Sequence, residues 1–199
     1  MEITKARFIG SATNVAGKPK TKLPEFAFIG RSNVGKSSLI NMLCNNGELA
    51  KTSSKPGKTV LINHFLINEA WYIVDLPGYG YANRSKTEKE QITRVINDYL
   101  YNSEELEMLF VLLDSRLPIQ KIDLDFINEL GKRGIPFCIV FTKGDKLGIN
   151  ILSSMIGKNK KTLLEYWEEL PPVFATSSQT KMGRKEIIDY IYKILELIK

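Results

Sequence analysis

The sequence predicts an α/β fold, a mostly parallel sheet covered by helices on both faces, with one strand running against the rest. Three observations point there. Short apolar runs of strand length alternate with longer segments whose apolar residues recur at helical spacing. Two of the runs, residues 60–67 and 71–75, are separated only by a turn at Asn68-Glu69, which makes them hairpin neighbours and supplies the antiparallel strand. The motifs able to carry chemistry all follow apolar runs, and in open α/β sheets ligands bind outside the carboxyl ends of strands.

In chain order, residues 3–9 are expected as a strand and residues 10–23 as a polar, basic, mobile loop. Glu25-Phe26-Ala27-Phe28-Ile29 reads as a buried strand, and residues 38–44 as a helix stopped by Asn45-Asn46-Gly47. Residues 45–58 are polar and lack periodicity, and Thr59 opens the first arm of the hairpin. Thr87-Glu88-Lys89-Glu90 has capping-box spacing, which predicts a helix from near Glu88 to about Tyr101. The almost wholly apolar residues 108–113 suit a strand covered on both faces. Beyond them come an amphipathic helix over 123–132, a stop at Gly134, a buried strand over 136–141, a long helix over 151–170, a short strand over 173–175 and a closing helix over 185–198.

At 199 residues and 43% hydrophobic content the chain can bury one substantial core, so residues 1–199 are read as one domain. Lys and Arg number 28 against 22 acidic residues, a net charge of +6 that fits an anionic partner. Cys44 and Cys138 both fall in apolar runs and read as core residues. With no disulfide framework, no metal-ligand spacing, no leader-like start and no apolar run approaching 18 residues, the expectation is a cytoplasmic protein without an integral membrane span.

Gly30-Arg31-Ser32-Asn33-Val34-Gly35-Lys36-Ser37 fits the phosphate-cradling pattern G-x-x-x-x-G-K-[ST] at every fixed position, between a strand and a helix as the pattern requires. The glycines let the loop turn sharply enough to aim successive backbone N–H groups at phosphate oxygens. Lys36 is the candidate for the β- and γ-phosphates and Ser37 for Mg²⁺, with the helix N-terminus adding positive potential. Asp75-Leu76-Pro77-Gly78 would hold Mg²⁺ through water at Asp75 and reach a γ-phosphate with the Gly78 N–H. Thr59 is the candidate for a second metal hydroxyl, with Thr52 behind it. Segments 46–58 and 76–86 are then switch candidates.

Thr142-Lys143-Gly144-Asp145 addresses the base. A carboxylate at Asp145 accepts from guanine N1–H and the exocyclic amine, whereas adenine has no N1–H and would leave the charge unpaired. The Lys143 stem can lie across the base, and backbone N–H groups near Ser177 or Ser178 can reach guanine O6. Ser38, Pro56, Gly57, Lys58 and Thr176 complete the expected nucleotide-contacting set.

These motifs, together with Pro56-Gly57-Lys58-Thr59 and the tail Tyr79-Gly80-Tyr81-Ala82, resemble the EngB (YihA/YsxC) family of bacterial translation-factor-related GTPases over essentially the whole chain. The resemblance implies the three-layer P-loop GTPase fold and a monomeric cytoplasmic GTPase. It further implies assistance to assembly of the large ribosomal subunit, through rRNA and ribosomal proteins, needed for normal growth and division. Two departures stand out: Gly144 replaces the family's usual alanine, and Leu117-Pro118 replaces a His-Gly pair, so no role is carried over to residues 115–119.

Where many small GTPases place a water-orienting glutamine, this chain has Tyr79, which predicts slow intrinsic turnover and stimulation by a partner. In related GTPases an asparagine at the position of Asn33 ligates K⁺, so K⁺ is a candidate cofactor beside Mg²⁺. Arg31, Arg84 and Arg116 are conceivable arginine fingers; none is assigned, and no catalytic residue is named. His64 is expected to be packed. The competing readings are a nucleotide-loaded scaffold that binds RNA or membrane lipid with incidental hydrolysis, and an ATPase or nucleotide kinase, which Asp145 disfavours. Lys18, Lys20, Lys22, Lys55, Lys58, Lys158, Lys160, Lys161, Lys181, Arg184 and Lys185 are the candidate partner surface.

Overall fold

The computed structural model describes residues 2–50, 60–80 and 84–198. Seven strands, β1 Ala6–Ala12, β2 Glu25–Gly30, β3 Ile62–Ile67, β4 Trp71–Asp75, β5 Leu106–Asp114, β6 Phe137–Thr142 and β7 Val173–Ala175, join in one sheet ordered β1-β3-β4-β2-β5-β6-β7. β3 pairs antiparallel with both its neighbours and every other pairing is parallel, so β3 is the one reversed strand. The helices are α1 Lys36–Cys44, α2 Lys86–Asn102, α3 Lys121–Lys132, α4 Ile149–Leu164 and α5 Arg184–Leu197.

Alternation along the central strands divides the core in two. From β2, Ala27 and Ile29 pack with Ile92, Ile96, Ile127 and Leu163 of α2, α3 and α4. Phe26 and Phe28 point the other way, against Leu39, Leu43, Ile187 and Ile191 of α1 and α5. Both faces of β2 are buried, which is why it reads as a continuous apolar run. Each such Ile, Leu or Phe side chain taken from water contributes about 1.5–3 kcal/mol.

The hairpin turn places Asn68 at φ 49° and Glu69 at φ 54°, both left-handed, which matches the twist of the strands it joins. Asn68 Oδ1 also accepts from the Thr4 and Lys5 N–H groups, fastening the N-terminal segment to the turn. That attachment bears on the first strand, expected over 3–9 but found at Ala6–Ala12. Its register follows β3, with a bulge between Phe8 and Gly10, and Phe8 is left 52% exposed on this edge strand.

The segment expected to be mobile is tied down. The Val15 N–H donates to Asp98 Oδ2 at 2.8 Å, and Thr21 Oγ1 bonds the Tyr72 hydroxyl. Lys18 Nζ lies 3.0 Å from Glu25 Oε1, donates to Ser103 Oγ at 2.7 Å and also meets Glu105. Lys18 is therefore a half-buried countercharge and leaves the partner surface to which its charge had assigned it. Arg184, hydrogen-bonded to the Met42 and Leu43 carbonyls at the end of α1, also has a structural partner.

Two helix boundaries move for identifiable reasons. α2 is capped by Ser85, which forms the capping box with Glu88, so the helix begins at Lys86, two residues before the start near Glu88 that the Thr87 spacing indicated. α4 ends at Leu164, short of residue 170, where the Tyr166 and Trp167 N–H groups both turn back to the Leu163 carbonyl ahead of Pro171-Pro172.

Candidate nucleotide-binding site

β2 delivers the chain to Gly30, where an added Cβ would lie 2.8 Å from Val34 Cγ1 and 3.0 Å from the Leu112 carbonyl. The loop can fold this closely on the strand only with glycine. Asn33 at φ 62° and Gly35 at φ 102° take left-handed backbone that bends residues 31–35 back towards the helix. Gly35 caps α1 without a side-chain hydrogen bond, and the first turn of Lys36, Ser37 and Ser38 carries no acidic side chain. Its orphan N–H groups and the positive end of the helix dipole are left to an anion.

Register brings the acidic motif alongside. β2 and β4 pair Phe28 with Asp75, and the Asp75 carboxylate forms an ion pair with Lys36 Nζ. The Leu76 N–H donates to the Phe28 carbonyl and the Tyr79 N–H to the Gly30 carbonyl, both at 3.1 Å. Pro77 and Gly78 are thus carried past the mouth of the loop. Among the described residues no three His, Cys, Asp or Glu side chains gather in a way that could hold a metal on their own. Hard oxygens at Ser37 and Asp75, beside a phosphate cradle, fit Mg²⁺, which takes few protein ligands and shares the rest with phosphate and water.

The base-directed motif meets the same loop. Thr142 Oγ1, at the end of β6, donates to the Val34 carbonyl at 2.6 Å. Lys143, at φ 61°, reaches back with Nζ to the Asn33 carbonyl at 2.7 Å and lies 3.1 Å from Asp114 Oδ2. Gly144 packs under Met182, where a Cβ would fall 2.5 Å from the Met182 methyl, so an alanine here would crowd Met182. Asp145 Oδ1 accepts from Ser177 Oγ at 2.8 Å, and that hydrogen bond lowers the carboxyl's pKa below its ordinary value. Thr176 is buried and bonds the Phe141 carbonyl through both its N–H and its hydroxyl. The Ser177 N–H is donated to the Met182 carbonyl at 3.1 Å. Of the two backbone donors proposed for guanine O6, only that of Ser178 remains.

Gly30 through Ser38, Asp75 through Gly78, Thr142 through Asp145 and Thr176 through Ser178 all lie at the carboxyl end of the sheet. Thr52, Lys55, Pro56, Gly57, Lys58 and Thr59, with Tyr81 and Ala82, lie outside the described residues. In the stretch before them, the buried Asn41 side chain bonds the Gly47 carbonyl and both the carbonyl and N–H of Ala50, tying the start of the 46–58 segment to α1.

Three features escaped the sequence reading. Thr142 braces the phosphate loop as well as preceding Lys143. Asp114 takes two hydrogen bonds from the Arg116 guanidinium, at 2.9 and 2.7 Å, and one from the Arg116 N–H at 3.0 Å; burial alone would raise its carboxyl, but Arg116 and Lys143 outweigh it and hold the pKa at about 2. Arg116 is thereby occupied. Residues 116–119 of the 115–119 loop, to which no role was carried over, line a cavity of about 230 Å³ with Gln120, Arg31, Asn33 and Lys143. The Asp-Ser-Arg run after an apolar strand was the available signal for the Asp114 pair.

Comparison with known proteins agrees with this geometry. A family model described as "50S ribosome-binding GTPase" matches residues 25–143. A protein of Phocaeicola vulgatus named "Probable GTP-binding protein EngB" is 57% identical over 199 residues, covering all of both chains. Another of the same name from Porphyromonas gingivalis is 58% identical over 194 residues, 98% of this chain and 96% of the relative. Among solved structures, "a probable GTP-binding protein engB" superposes with a TM-score of 0.68 at 23% identity, covering 86% of this chain and 98% of the other. At that identity the superposition speaks for the fold.

Proposed function

The chain belongs to the EngB family of GTP-binding proteins and is a GTPase, and on that premise we propose that it is a switch acting on the large ribosomal subunit or its precursor. In this reading it works as a monomer in the cytoplasm, assists subunit assembly and is needed for normal growth and division. Support for the ribosomal part comes from the description of the matching family model and from the net charge of +6, since rRNA attracts Lys and Arg.

One observation carries the nucleotide reading. Lys143 Nζ touches the Asn33 carbonyl at 2.7 Å, which joins the base-reading loop to the phosphate-binding loop within one nucleotide's reach. The uncapped first turn of α1 and Lys36 neutralise the phosphates, Asp145 reads the Watson–Crick edge of guanine, and the Ser178 N–H reaches O6. Lys36 would exchange its contact with Asp75 for the β- and γ-phosphates. Ser37 and Asp75, the latter through water, would hold Mg²⁺, with Thr59 as a further ligand; bound there the ion shields phosphate charge. Asn33 is the residue that would meet K⁺. Its left-handed backbone also serves the turn of the loop itself.

Slow intrinsic turnover follows from Tyr79. Its side chain is buried and committed elsewhere, so the position after Gly78 does not orient water, and a ribosomal surface would supply the missing ordering. Competition between guanosine and adenosine diphosphates for the purified protein tests the nucleotide reading, and equal affinity would end it. Cosedimentation with large subunits, in GDP and in a non-hydrolysable GTP analogue, tests the ribosomal reading. Absence from the subunit fraction in both states would end that one alone.

A further inference from the structure

At the end of the sheet opposite Gly30 and Asp145, where β2, β4 and β5 begin and α5 finishes, lies a cavity of about 580 Å³. Its chemistry reverses that of the chain as a whole. The protein carries +6, yet among the described residues this wall holds Glu104, Glu105, Glu107 and Glu196 against one lysine, Lys22. Glu105 is already met by Lys18, whereas Glu104, Glu107 and Glu196 have no ion pair or side-chain hydrogen bond among the described residues. Glu107 is half-buried, and burial raises its carboxyl's pKa, the mark of a carboxylate without a cation. The C-terminal end of α5 adds partial negative charge.

The floor supplies a second, independent observation. Trp71, at the start of β4, is 1% exposed, and its indole N–H has no hydrogen-bond acceptor among the described residues. A buried donor left unmade costs about 1–3 kcal/mol, which an incoming acceptor would recover. Tyr192 packs edge-on to Trp71 and continues the apolar floor. A bare cation would satisfy the glutamates but not the indole or the apolar wall, and nucleic acid would be repelled. We propose that this cavity docks a basic, extended polypeptide segment of a partner protein. Its lysine or arginine side chain pairs with Glu107, Glu104 and Glu196, and a backbone carbonyl accepts from Trp71 Nε1. The site is remote from the nucleotide loops, so its failure would leave the GTPase reading untouched.

The test uses the full-length, GDP-loaded, ¹⁵N-labelled protein titrated with an N-acetylated, C-amidated hexapeptide of alternating lysine and alanine. Saturable binding is expected, with the Trp71 indole signal, assigned by its loss in Trp71→Phe, moving downfield while that of Trp167 stays. Glu107→Gln combined with Glu196→Gln should weaken the peptide by about tenfold or more, because charge-assisted pairs are lost, with basal GTP turnover unchanged. No saturable binding, or equal affinity for the double variant, would overturn the proposal. So would spermidine moving the same signals as tightly, which would mark a plain cation site. Peptide binding only after deletion of Lys199 would assign the cavity to the chain's own terminus and overturn it equally.

Discussion

The Tyr79 hydroxyl donates to Asp123 Oδ1 at 2.9 Å, beneath α3, while the Tyr79 ring lies 4.7 Å from that of Phe126. Burial, then the Asp123 carboxylate, push the phenol's pKa well above its ordinary value, so it stays a neutral donor. Tyr79→Phe keeps the ring and strands Asp123 Oδ1. It should cost about 1–3 kcal/mol of stability in chemical denaturation. Single-turnover GTP hydrolysis should stay within about twofold of the parent, since the hydroxyl is already engaged by Asp123. A drop of tenfold or more would make Tyr79 a participant in hydrolysis.

The elements legible from sequence were those in which one local rule agreed with the global fold. β2, the phosphate loop and α1 combine glycines at forced positions with an apolar run buried on both faces, and Asn68-Glu69 announces its turn. What stayed hidden depended on distant partners. Lys18 looked like any exposed lysine because Glu25 and Glu105, its countercharges, are brought to it only by the sheet. β1 carries Phe8 and Ile9 in an apolar-looking run, but as an edge strand it takes its limits from β3. Ser177 illustrates the same limit: Asp145 was readable from its motif, while the loss of the Ser177 N–H to Met182 needed the tertiary fold.

Ser177 Oγ donates to Asp145 Oδ1 and so orients the carboxylate that, in the proposed function, reads the base. Asp145→Asn presents a donor where guanine also presents donors, so two charge-assisted hydrogen bonds are lost. Guanosine diphosphate affinity should fall between about a hundredfold and ten-thousandfold, at about 1.5–3 kcal/mol each. Ser177→Ala removes only the orienting bond and should cost about tenfold. Fluorescent-nucleotide titration measures both. If Ser177→Ala equalled Asp145→Asn, the serine would be contacting the base itself.

The cluster around Glu25 predicts an acid limb of stability. Burial would raise this carboxyl, but His64 at 3.6 Å, the Tyr99 hydroxyl and the Lys18 ammonium outweigh it and hold the pKa at about 2, against 4.5 in the ordinary case. A depressed carboxylate pKa contributes stability that is complete above about 4.5 and is lost as pH falls towards 2. Lys18→Met strands a buried charge and should cost about 3–5 kcal/mol at neutral pH. It should also move the acid-unfolding midpoint to higher pH, followed by circular dichroism from pH 7 to 2. An unmoved midpoint would mean that the other partners alone hold Glu25 down.

Asn33 separates two roles by ion dependence. If its side chain meets K⁺ near the phosphates, turnover should be faster in potassium than in sodium, and Asn33→Gly, which keeps the left-handed backbone, should abolish the difference. Equal rates in the two buffers would reduce Asn33 to shaping the loop. The readout is phosphate release at constant ionic strength.

Of the basic residues proposed to face a ribosomal partner, Lys158, Lys160 and Lys161 on α4 carry no ion pair among the described residues, whereas Lys185 is paired with Asp189 and Lys181 bonds Asn45. An unpaired ammonium can neutralise a phosphate without first leaving a carboxylate. Replacing the three by alanine should therefore lower the slope of log affinity against log salt for large-subunit binding by about two to three, near the roughly 0.7–0.9 expected per released counterion. The companion change at Lys185 should do less, because its charge is already compensated. An unchanged salt slope in the triple variant, with cosedimentation intact, would move the RNA-facing surface away from α4.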